Sequence, residues 1–336
     1  MQTVQERVTK KNLSYAKKGI LWGLLGGFLC GCPFIFNNFG MAQAPLSGGA
    51  VLGILVIPVV FAFLQDVGSF IVTFLALVAN GKHKECVRAV RTKPGRMLVI
   101  SSLFGGPVAC TCAAIGIYFA GPVYPIAISA AFPALGAVLS MVFLKERINL
   151  SSWIGILGCV LGAAIISWAP PTGEVYPHFY LGVAFAVIAA IGWALEGIVS
   201  CAGMDFIDPD VAYTLSKFYA MCIHLFFMLP LVAGFSFKIY GLVIASVFSP
   251  VILFAMISGA TFGIGYMYYY KCNNACGAAR GMAFNITYVF WSAVIGVLFA
   301  DAAVTGTFLI GLAVLMVGAL LVAGKPSELL NLRNVE

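Results

Sequence analysis

The chain has 336 residues, of which 62% are hydrophobic and 9% charged, and its formal net charge is +7. Soluble domains carry roughly 25% charged residues. The low charged fraction of this chain and its mean hydropathy of +1.02 therefore exclude an ordinary water-soluble domain. The composition indicates a membrane protein.

Ten apolar runs are long enough to cross a hydrocarbon layer of roughly 30 Å, which takes about 20 helical residues. In chain order they cover 19–38, 50–79, 97–119, 122–143, 150–168, 179–201, 210–232, 247–270, 278–299 and 303–323. The loops between them are short, and no segment alternates polar and apolar residues as barrel strands do. Irregular backbone cannot face lipid, so the sequence predicts an all-α polytopic membrane protein with ten transmembrane helices.

The first run follows a basic tail and precedes Ala42-Gln43-Ala44, which together resemble a secretory signal with its cleavage site. However, the run is long for the apolar core of a signal, and Pro45 would follow the cut directly, where peptidases tolerate it poorly. We therefore expect this run to be a first membrane helix.

The basic residues predict the orientation of the helices. With the N-terminus inside, the cytoplasmic segments hold 17 of the 19 Lys and Arg residues, six of them in the loop 82–96, and the exceptions are Lys217 and Lys238. Since cytoplasmic loops are enriched in Lys and Arg, we predict that both termini are cytoplasmic and that the protein lies in the cytoplasmic (inner) membrane. The basic 82–96 loop then faces anionic lipid rather than a nucleic acid.

A weak internal repeat relates the two halves of the chain. A shift of 156 residues lays 137–164 over 293–320, and seven residues coincide. The coinciding pairs are Ala137/Ala293, Val138/Val294, Phe143/Phe299, Ile154/Ile310, Gly155/Gly311, Gly162/Gly318 and Ala163/Ala319. The shift pairs the fourth and fifth predicted helices with the ninth and tenth.

A repeat of five helices has an odd number of spans, so its second copy enters the membrane from the opposite side. Secondary transporters use such inverted repeats, with the substrate site near the midplane between them. We predict a first five-helix repeat over 1–168 and an inverted second repeat over 179–323. An extracytoplasmic linker, 169–178, would join them, and 324–336 would form a cytoplasmic tail.

Two of the twelve acidic residues lie in the interior of predicted spans, namely Asp66 in the second and Glu196 in the sixth, whereas Asp210 is the first residue of the seventh. A charge at the bilayer centre costs about 2.5–3.5 kcal/mol even on lenient insertion scales, so it needs a partner or a polar cavity. Lys217, with His224 two turns further along its helix, can neutralise either acid and thereby join helices. One acid then remains in excess, which suits a cationic substrate or a transferable proton.

Aromatic side chains are predicted at the depth of Glu196. At about 1.5 Å per residue, five residues from three helices reach this level: Trp193, Tyr266, Asn285, Tyr288 and Trp291. Ring faces bind a quaternary ammonium, with about 2 kcal/mol or more per face when water is excluded. The alternative for each ring is packing, as expected for Phe28, or an interfacial anchor, as expected for Trp22, Trp168 and Tyr268 to Tyr270.

The ten cysteines do not indicate a metal site. Cys30/Cys32 and Cys110/Cys112 are two residues apart, so each pair points about 200° apart on a helix and cannot chelate from one face. The sequence also has no Ser or Cys with a histidine on an adjoining turn and no glycine-rich phosphate loop. We therefore predict neither an enzyme nor a cofactor or metal.

Several stretches resemble a known family. "FGGPVAC" followed by "FPALGAVLSMVFLKERI" resembles the third and fourth helices of the drug/metabolite transporter superfamily, whose EamA-like members have ten helices in two inverted halves. "FLQDVGSF", "GWALEGIVS" and "GYMYYYKCNNACGAARGMAFNITYVFW" resemble its Lic-type choline transporters. The resemblance extends over nearly the whole chain.

The resemblance implies a set of substrate-binding residues. Carried over by position, the choline pocket would contain Trp193, Glu196, Tyr266, Asn285, Tyr288 and Trp291, and Asp66 would be the helix-2 acid. The choline proteins have a tryptophan on helix 1 near Gly26, whereas the nearest one here is Trp22, which would open one wall of the pocket to a bulkier amine. Lys217 replaces an arginine and so lacks the guanidinium fork.

The residues and the resemblance together predict a secondary transporter that moves choline or a related quaternary amine by alternating access. Uptake would be driven by the membrane potential or coupled to protons through Asp66, with Lys217 in coupling or gating. The alternative is a superfamily exporter of amino acids or other small metabolites. The expected partners are a choline-like cation and the lipid bilayer, with no nucleic acid, in a monomer or homodimer.

Overall fold

The structure is a computed structural model that describes residues 4–47, 55–121, 123–129, 131–144, 149–168, 176, 178–300 and 304–323. Within these ranges the chain forms helices and turns and no β-strand. Some predicted features therefore lie outside the described residues: 50–54 of the second span, the loop at 145–148, most of the linker 169–178, and the tail 324–336.

The helices follow the apolar runs closely. They are α1 (Val4–Gly31), α2 (Pro33–Met41), α3 (Val56–Ala79), α4 (His83–Ala89), α5 (Lys93–Leu103), α6 (Thr111–Ala120), α7 (Tyr124–Ser129), α8 (Phe132–Phe143), α9 (Leu150–Trp168), α10 (Phe179–Met204), α11 (Pro209–Ile223), α12 (Leu229–Val232), α13 (Lys238–Val247), α14 (Val251–Cys276), α15 (Ala278–Asn285), α16 (Thr287–Ala300) and α17 (Gly306–Ala323). Two π-helical segments, Phe104–Cys110 and His224–Met228, continue α5 into α6 and α11 into α12.

Eight stretches of the described chain are long and apolar enough to cross a membrane. They are Lys17–Met41, Val56–Ala79, Lys93–Ala120, Tyr124–Phe143, Phe179–Met204, Pro209–Val232, Val251–Cys276 and Ala278–Phe299. Helices α9 and α17 occupy the predicted fifth and tenth spans, but their apolar parts, Trp153–Ile166 and Gly306–Leu321, are shorter. The protein is thus an all-helical, multi-pass membrane protein, and the count of ten spans stays a prediction.

The largest error in span position concerns the predicted span 247–270. The helix α14 begins only at Val251, after Pro250 at its N-cap, and continues to Cys276. Residues before Pro250 form the separate short helix α13. The shift matters because it moves the tyrosines at 268–270 from a predicted helix end into the interior of a long helix.

The helices α9 and α17 pack through glycines that make reciprocal contacts. A Cβ built on Gly318 would lie 2.7 Å from the carbonyl oxygen of Gly155, and one built on Gly162 would lie 2.7 Å from that of Gly311. The earlier glycine of α9, Gly155, contacts the later glycine of α17, Gly318, while Gly162 contacts Gly311. The two helices therefore run antiparallel. The shift of 156 residues places Gly155 on Gly311 and Gly162 on Gly318, so it exchanges one contact for the other. A two-fold relation between these helices requires this exchange. The complete inverted repeat remains a prediction.

The two π-helical segments lie beside buried charges. Gly105, in the first segment, packs against the carboxylate of Glu196, and any Cβ there would collide with it. The second segment begins at His224, which is fully buried. A π-helical turn widens the helix and is often found at functional sites. The acids that the two segments contact, Glu196 and Asp66, are therefore candidate functional residues.

Candidate functional site

A cavity lies among the helices near the middle of the spans. Its eight lining residues are Cys30, Phe34, Phe132, Trp193, Phe262, Tyr266, Asn285 and Tyr288. Six of these are aromatic, and both halves of the chain contribute. In this conformation the cavity has room for about one water molecule, so a larger ligand requires the surrounding side chains to move.

The aromatic rings of the cavity contact one another in edge-to-face and tilted arrangements. The rings of Trp193 and Tyr288 are 6.4 Å apart between centroids at an interplanar angle of 76°. Phe132 contacts both, at 6.3 Å from each. The sequence places Trp193 and Tyr288 at the same depth, and the structure brings them together.

Glu196 is buried beside this cavity, with 3% of its surface exposed. Its carboxylate accepts a hydrogen bond from the Tyr270 hydroxyl at 3.0 Å and a longer one from the Tyr266 hydroxyl at 3.4 Å. Among the described residues, no Lys, Arg or His nitrogen forms an ion pair with it. Tyr266 lines the cavity, so its hydroxyl connects the cavity to the acid.

Asp66 has the opposite environment. The Lys217 ammonium lies 2.9 Å from Oδ1 of Asp66, and Nδ1 of His224 lies 3.0 Å from Oδ2. The other ring nitrogen of His224 is 2.8 Å from the Thr111 hydroxyl. All four residues are buried. Of the two possible partners for Lys217, the structure therefore selects Asp66, and Glu196 has no cationic partner among the residues that the structure describes.

The charged network touches one wall of the cavity. The Lys217 ammonium lies 5.3 Å from the ring centroid of Phe262, and the rings of Phe262 and Tyr266 are 4.5 Å apart. A cation at this distance from a ring face is attracted to it. Asp66, Lys217 and the cavity therefore belong to one contiguous region.

Trp291, which the sequence places in the pocket, is not among the residues that line the cavity. Its ring packs against Phe28 at 5.0 Å and against Phe290 at 5.3 Å. A residue six positions after Asn285 points about 240° away from it on a helix, and the helix is also interrupted between α15 and α16. Phe28 serves in packing, as expected.

Tyr269 and Tyr270 were expected to be interfacial anchors, and this expectation is wrong. Their exposed fractions are 1% and 0%, and Tyr270 donates to Glu196. The reason is that α14 continues to Cys276, so both tyrosines lie within the helix rather than at its end. The signal for Tyr270 was its spacing of four residues from Tyr266, which places the two on one helix face.

The other lining residues gave no signal in the sequence. Cys30, Phe34, Phe132 and Phe262 are apolar residues in apolar helices. Nothing in their local pattern separates a residue that lines a cavity from one that packs, because the distinction depends on which helices meet.

Near Gly26 the structure differs from the expected open wall. A Cβ built on Gly26 would lie 2.9 Å from the carbonyl oxygen of Gly265 and 3.2 Å from Oδ1 of Asn285. Helix α1 therefore fills this space with its own backbone, which leaves no extra room there. The helix-1 side of the cavity is instead formed by Cys30 and, in α2, Phe34.

The fold and this cavity define a polytopic helical membrane protein with aromatic rings and a buried acid between its helices. Residues 17–168 match the EamA-like transporter family, so this part of the chain is similar to that family. The match confirms the resemblance to the drug/metabolite transporter superfamily, whose EamA-like members are transporters rather than enzymes.

Two further proteins are similar over most of their length. The chain is 25% identical to Protein LicB of Haemophilus influenzae (strain ATCC 51907 / DSM 11121 / KW20 / Rd) over 281 residues, which cover 84% of this chain and 89% of LicB. A solved protein crystal structure matches with a TM-score of 0.52 at 18% identity, covering 91% of this chain and 96% of that one. The second similarity concerns the fold alone.

Proposed function

We propose that the protein is a secondary transporter that moves choline or a related quaternary amine across the cytoplasmic membrane by alternating access. The observation that carries this proposal is the setting of Glu196, a buried carboxylate with no cationic partner among the described residues, joined through Tyr266 to an aromatic cavity. An ionised carboxylate there is costly unless a cation joins it. The substrate would supply that cation.

The lining of the cavity favours a cation that donates no hydrogen bonds. Six of its eight residues are aromatic, and Asn285 is the one amide among them. A primary ammonium donates three hydrogen bonds and needs an acceptor for each to replace its water, whereas most of this lining consists of ring faces. A quaternary ammonium needs only negative charge and ring faces, worth about 2 kcal/mol or more each when water is excluded.

Binding requires the cavity to widen from its present size. The weaker of the two hydrogen bonds to Glu196 comes from Tyr266, at 3.4 Å. If this ring turned aside, the cavity would open toward the carboxylate and a face of the ring would contact the cation. This contracted cavity suits a cycle in which the helices separate on one side of the membrane and then on the other.

The membrane potential alone can drive uptake of a cation, at about 2.3 kcal/mol per charge per 100 mV. The network of Asp66, Lys217 and His224 offers a place for proton coupling, because the Asp66 carboxylate contacts the His224 ring and Lys217, which pairs with Asp66, lies beside the cavity wall formed by Phe262. In this proposal the network acts in coupling or gating and Glu196 holds the substrate. The termini face the cytoplasm, and the protein acts as a monomer or homodimer.

Uptake by the purified protein in proteoliposomes tests the proposal. Radiolabelled choline is supplied under an imposed negative-inside potential to wild type and to Glu196→Gln. A matched control is Glu85→Gln, which neutralises a carboxylate on α4, outside the cavity. Uptake by wild type and the control, with loss in Glu196→Gln, is the expected result. Equal accumulation by all three would remove Glu196 from the site.

A second candidate is an exporter of amino acids or other small metabolites. The Lys217 ammonium lies against Phe262 in the cavity wall and could attract the carboxylate of a zwitterion. A thermal-shift panel separates the candidates: the exporter predicts stabilisation by zwitterionic amino acids and none by choline, whereas the choline transporter predicts the reverse.

A further inference from the structure

Two lysines and two aspartates form a cluster at the end of the helices that is predicted to face the cytoplasm. The Lys82 ammonium lies 2.7 Å from Asp208 and 3.2 Å from Asp210, and the Lys271 ammonium lies 2.8 Å from Asp210. Asp210 is thus shared by two lysines from different parts of the chain. Its side chain is only 7% exposed, whereas those of Lys82 and Asp208 are about one-third exposed.

The cluster joins the two predicted repeats. Lys82 follows α3 in the first repeat. In the second, Asp208 caps α11 by accepting a hydrogen bond from the backbone N–H of Asp210, and Lys271 lies on α14. The pairs made by Lys82 therefore cross between the repeats, while the Lys271–Asp210 pair lies within the second.

A second contact crosses at the same end. The Tyr15 hydroxyl, on α1, donates to Oδ1 of Asn274 at 3.0 Å, and Nδ2 of Asn274 donates to the carbonyl oxygen of Met204 at 3.3 Å. Helix α1 of the first repeat is thereby tied to α14 and to the end of α10. Two independent polar contacts thus hold the repeats together on this side.

A layer of tyrosines separates this cluster from Glu196. Tyr213 is one turn after Asp210 on α11, and Tyr270 is next to Lys271 on α14. Their rings are 5.1 Å apart, both are fully buried, and Tyr270 donates to Glu196. The charged cluster therefore lies on the cytoplasmic side of the proposed substrate acid, with one layer of rings between them.

We propose that Lys82, Asp208 and Asp210 form a cytoplasmic latch, which closes the path between the cavity and the cytoplasm in this conformation and opens in each transport cycle. The inference rests on the proposed alternating access. When the repeats separate, Lys82 leaves, but Lys271 stays with Asp210, so the most buried acid of the cluster keeps a partner. Lys82 and Asp208 are partly exposed and return to water, which makes the opening reversible.

Lys82 is charged throughout the physiological range. Burial lowers the pKa of Lys82, but the hydrogen bond and charge of Asp208 and the charge of Asp210 outweigh it and hold the pKa above its usual value. The latch is therefore sensitive to ionic strength, because salt screens partly exposed pairs.

The test uses Cys30, which lines the cavity, as a reporter. A membrane-impermeant, cationic methanethiosulfonate is applied to the cytoplasmic face of the full-length protein in inside-out vesicles, and the peptide containing Cys30 is quantified by mass spectrometry. We expect Lys82→Gln to label up to about fivefold faster than wild type, the effect of losing a partly exposed ion pair. Lys84→Gln, an exposed lysine two residues away, is the matched control and should label like wild type.

Two further measurements keep the proposal falsifiable. Lys82→Arg keeps the charge and should restore the wild-type rate, and high salt should speed labelling of wild type more than of Lys82→Gln. Equal labelling of Cys30 in wild type and Lys82→Gln, including no labelling in either, would overturn the latch. Since labelling needs no substrate, faster labelling together with absent choline uptake would refute the proposed substrate and leave the latch standing.

Discussion

Asp66 and Glu196 are both buried carboxylates on membrane-spanning helices, yet their surroundings are opposite. Asp66 is held by the Lys217 ammonium and the His224 ring. Glu196 receives two tyrosine hydroxyls and, within the described chain, no cation. The difference teaches that a charge inside an apolar helix does not by itself indicate a substrate site. The charges of the neighbouring residues distinguish an acid that joins helices from one that can bind a cationic substrate.

The largest expected effect concerns the paired acid. Lys217→Met leaves Asp66 buried without its ammonium, and breaking a buried pair in this way costs about 3–5 kcal/mol. We expect a marked drop in the thermal unfolding midpoint of the detergent-solubilised protein. The exposed lysine at 238 gives the control variant Lys238→Met, which should unfold like wild type.

A double variant sharpens this result. Asp66→Asn combined with Lys217→Met removes both charges, so it should be more stable than Lys217→Met alone, because no buried charge is left uncompensated. If the losses simply added, the ion pair would not be the source of the stability.

Glu196→Gln should behave differently from the Lys217 variant. The amide keeps an oxygen for Tyr270 and removes an acid that has no cationic partner in the described part of the chain, so the unfolding midpoint should stay at or above that of wild type. Choline binding should fall by about thirtyfold or more, as expected when one member of a buried charge pair is removed at a cost of roughly 2–5 kcal/mol. Equilibrium binding of labelled choline measures this. If Glu196→Gln instead lowered the unfolding midpoint strongly, Glu196 would contribute to stability as Asp66 does, and the expected difference between the two acids would be absent.

A pair of tryptophan variants tests the aromatic part of the site. Trp193 lines the cavity, whereas Trp291 packs on Phe28. Trp193→Leu should weaken choline binding by about thirtyfold, which corresponds to the loss of about 2 kcal/mol from one ring face. Trp291→Leu should leave the dissociation constant nearly unchanged. A larger loss in Trp291→Leu would mean that the substrate lies elsewhere.

The smallest expected effect is that of Tyr266→Phe. This variant keeps the ring and removes the hydroxyl that lies 3.4 Å from Glu196, which the substrate has to displace. Since a typical hydrogen bond contributes about 0.5–1.5 kcal/mol net, choline affinity should rise by about tenfold at most. Tyr266→Leu is the control for the ring and should bind more weakly than wild type, so a loss of affinity in both variants would contradict a displaced hydroxyl.

The sequence predicted most of the helices because hydropathy is a local property of the chain. The apolar run 150–168 became α9 with the same bounds. The errors came where two helices follow one another in apolar sequence, as α13 and α14 do around Pro250, since hydropathy does not show where one helix ends and the next begins. The resulting shift of α14 concealed the burial of Tyr269 and Tyr270.

The candidate site was predicted only in part for a related reason. Trp193, Tyr266, Asn285 and Tyr288 stood out because polar or amphipathic side chains are uncommon in the middle of an apolar span. Phe132 also lines the cavity, but a phenylalanine there is unremarkable in sequence. Its role depends on contacts with helices distant along the chain.

By itself the sequence determined that this is a multi-pass membrane protein with Asp66, Glu196 and Lys217 in the interior of its spans, because each of these facts follows from composition and local hydropathy. Only the tertiary structure decided which acid the lysine neutralises. Lys217 and Asp66 are 151 residues apart, and their pairing depends on α3 packing against α11, which no local pattern specifies. The same packing left Glu196 beside aromatic rings, and the proposed function follows from that difference.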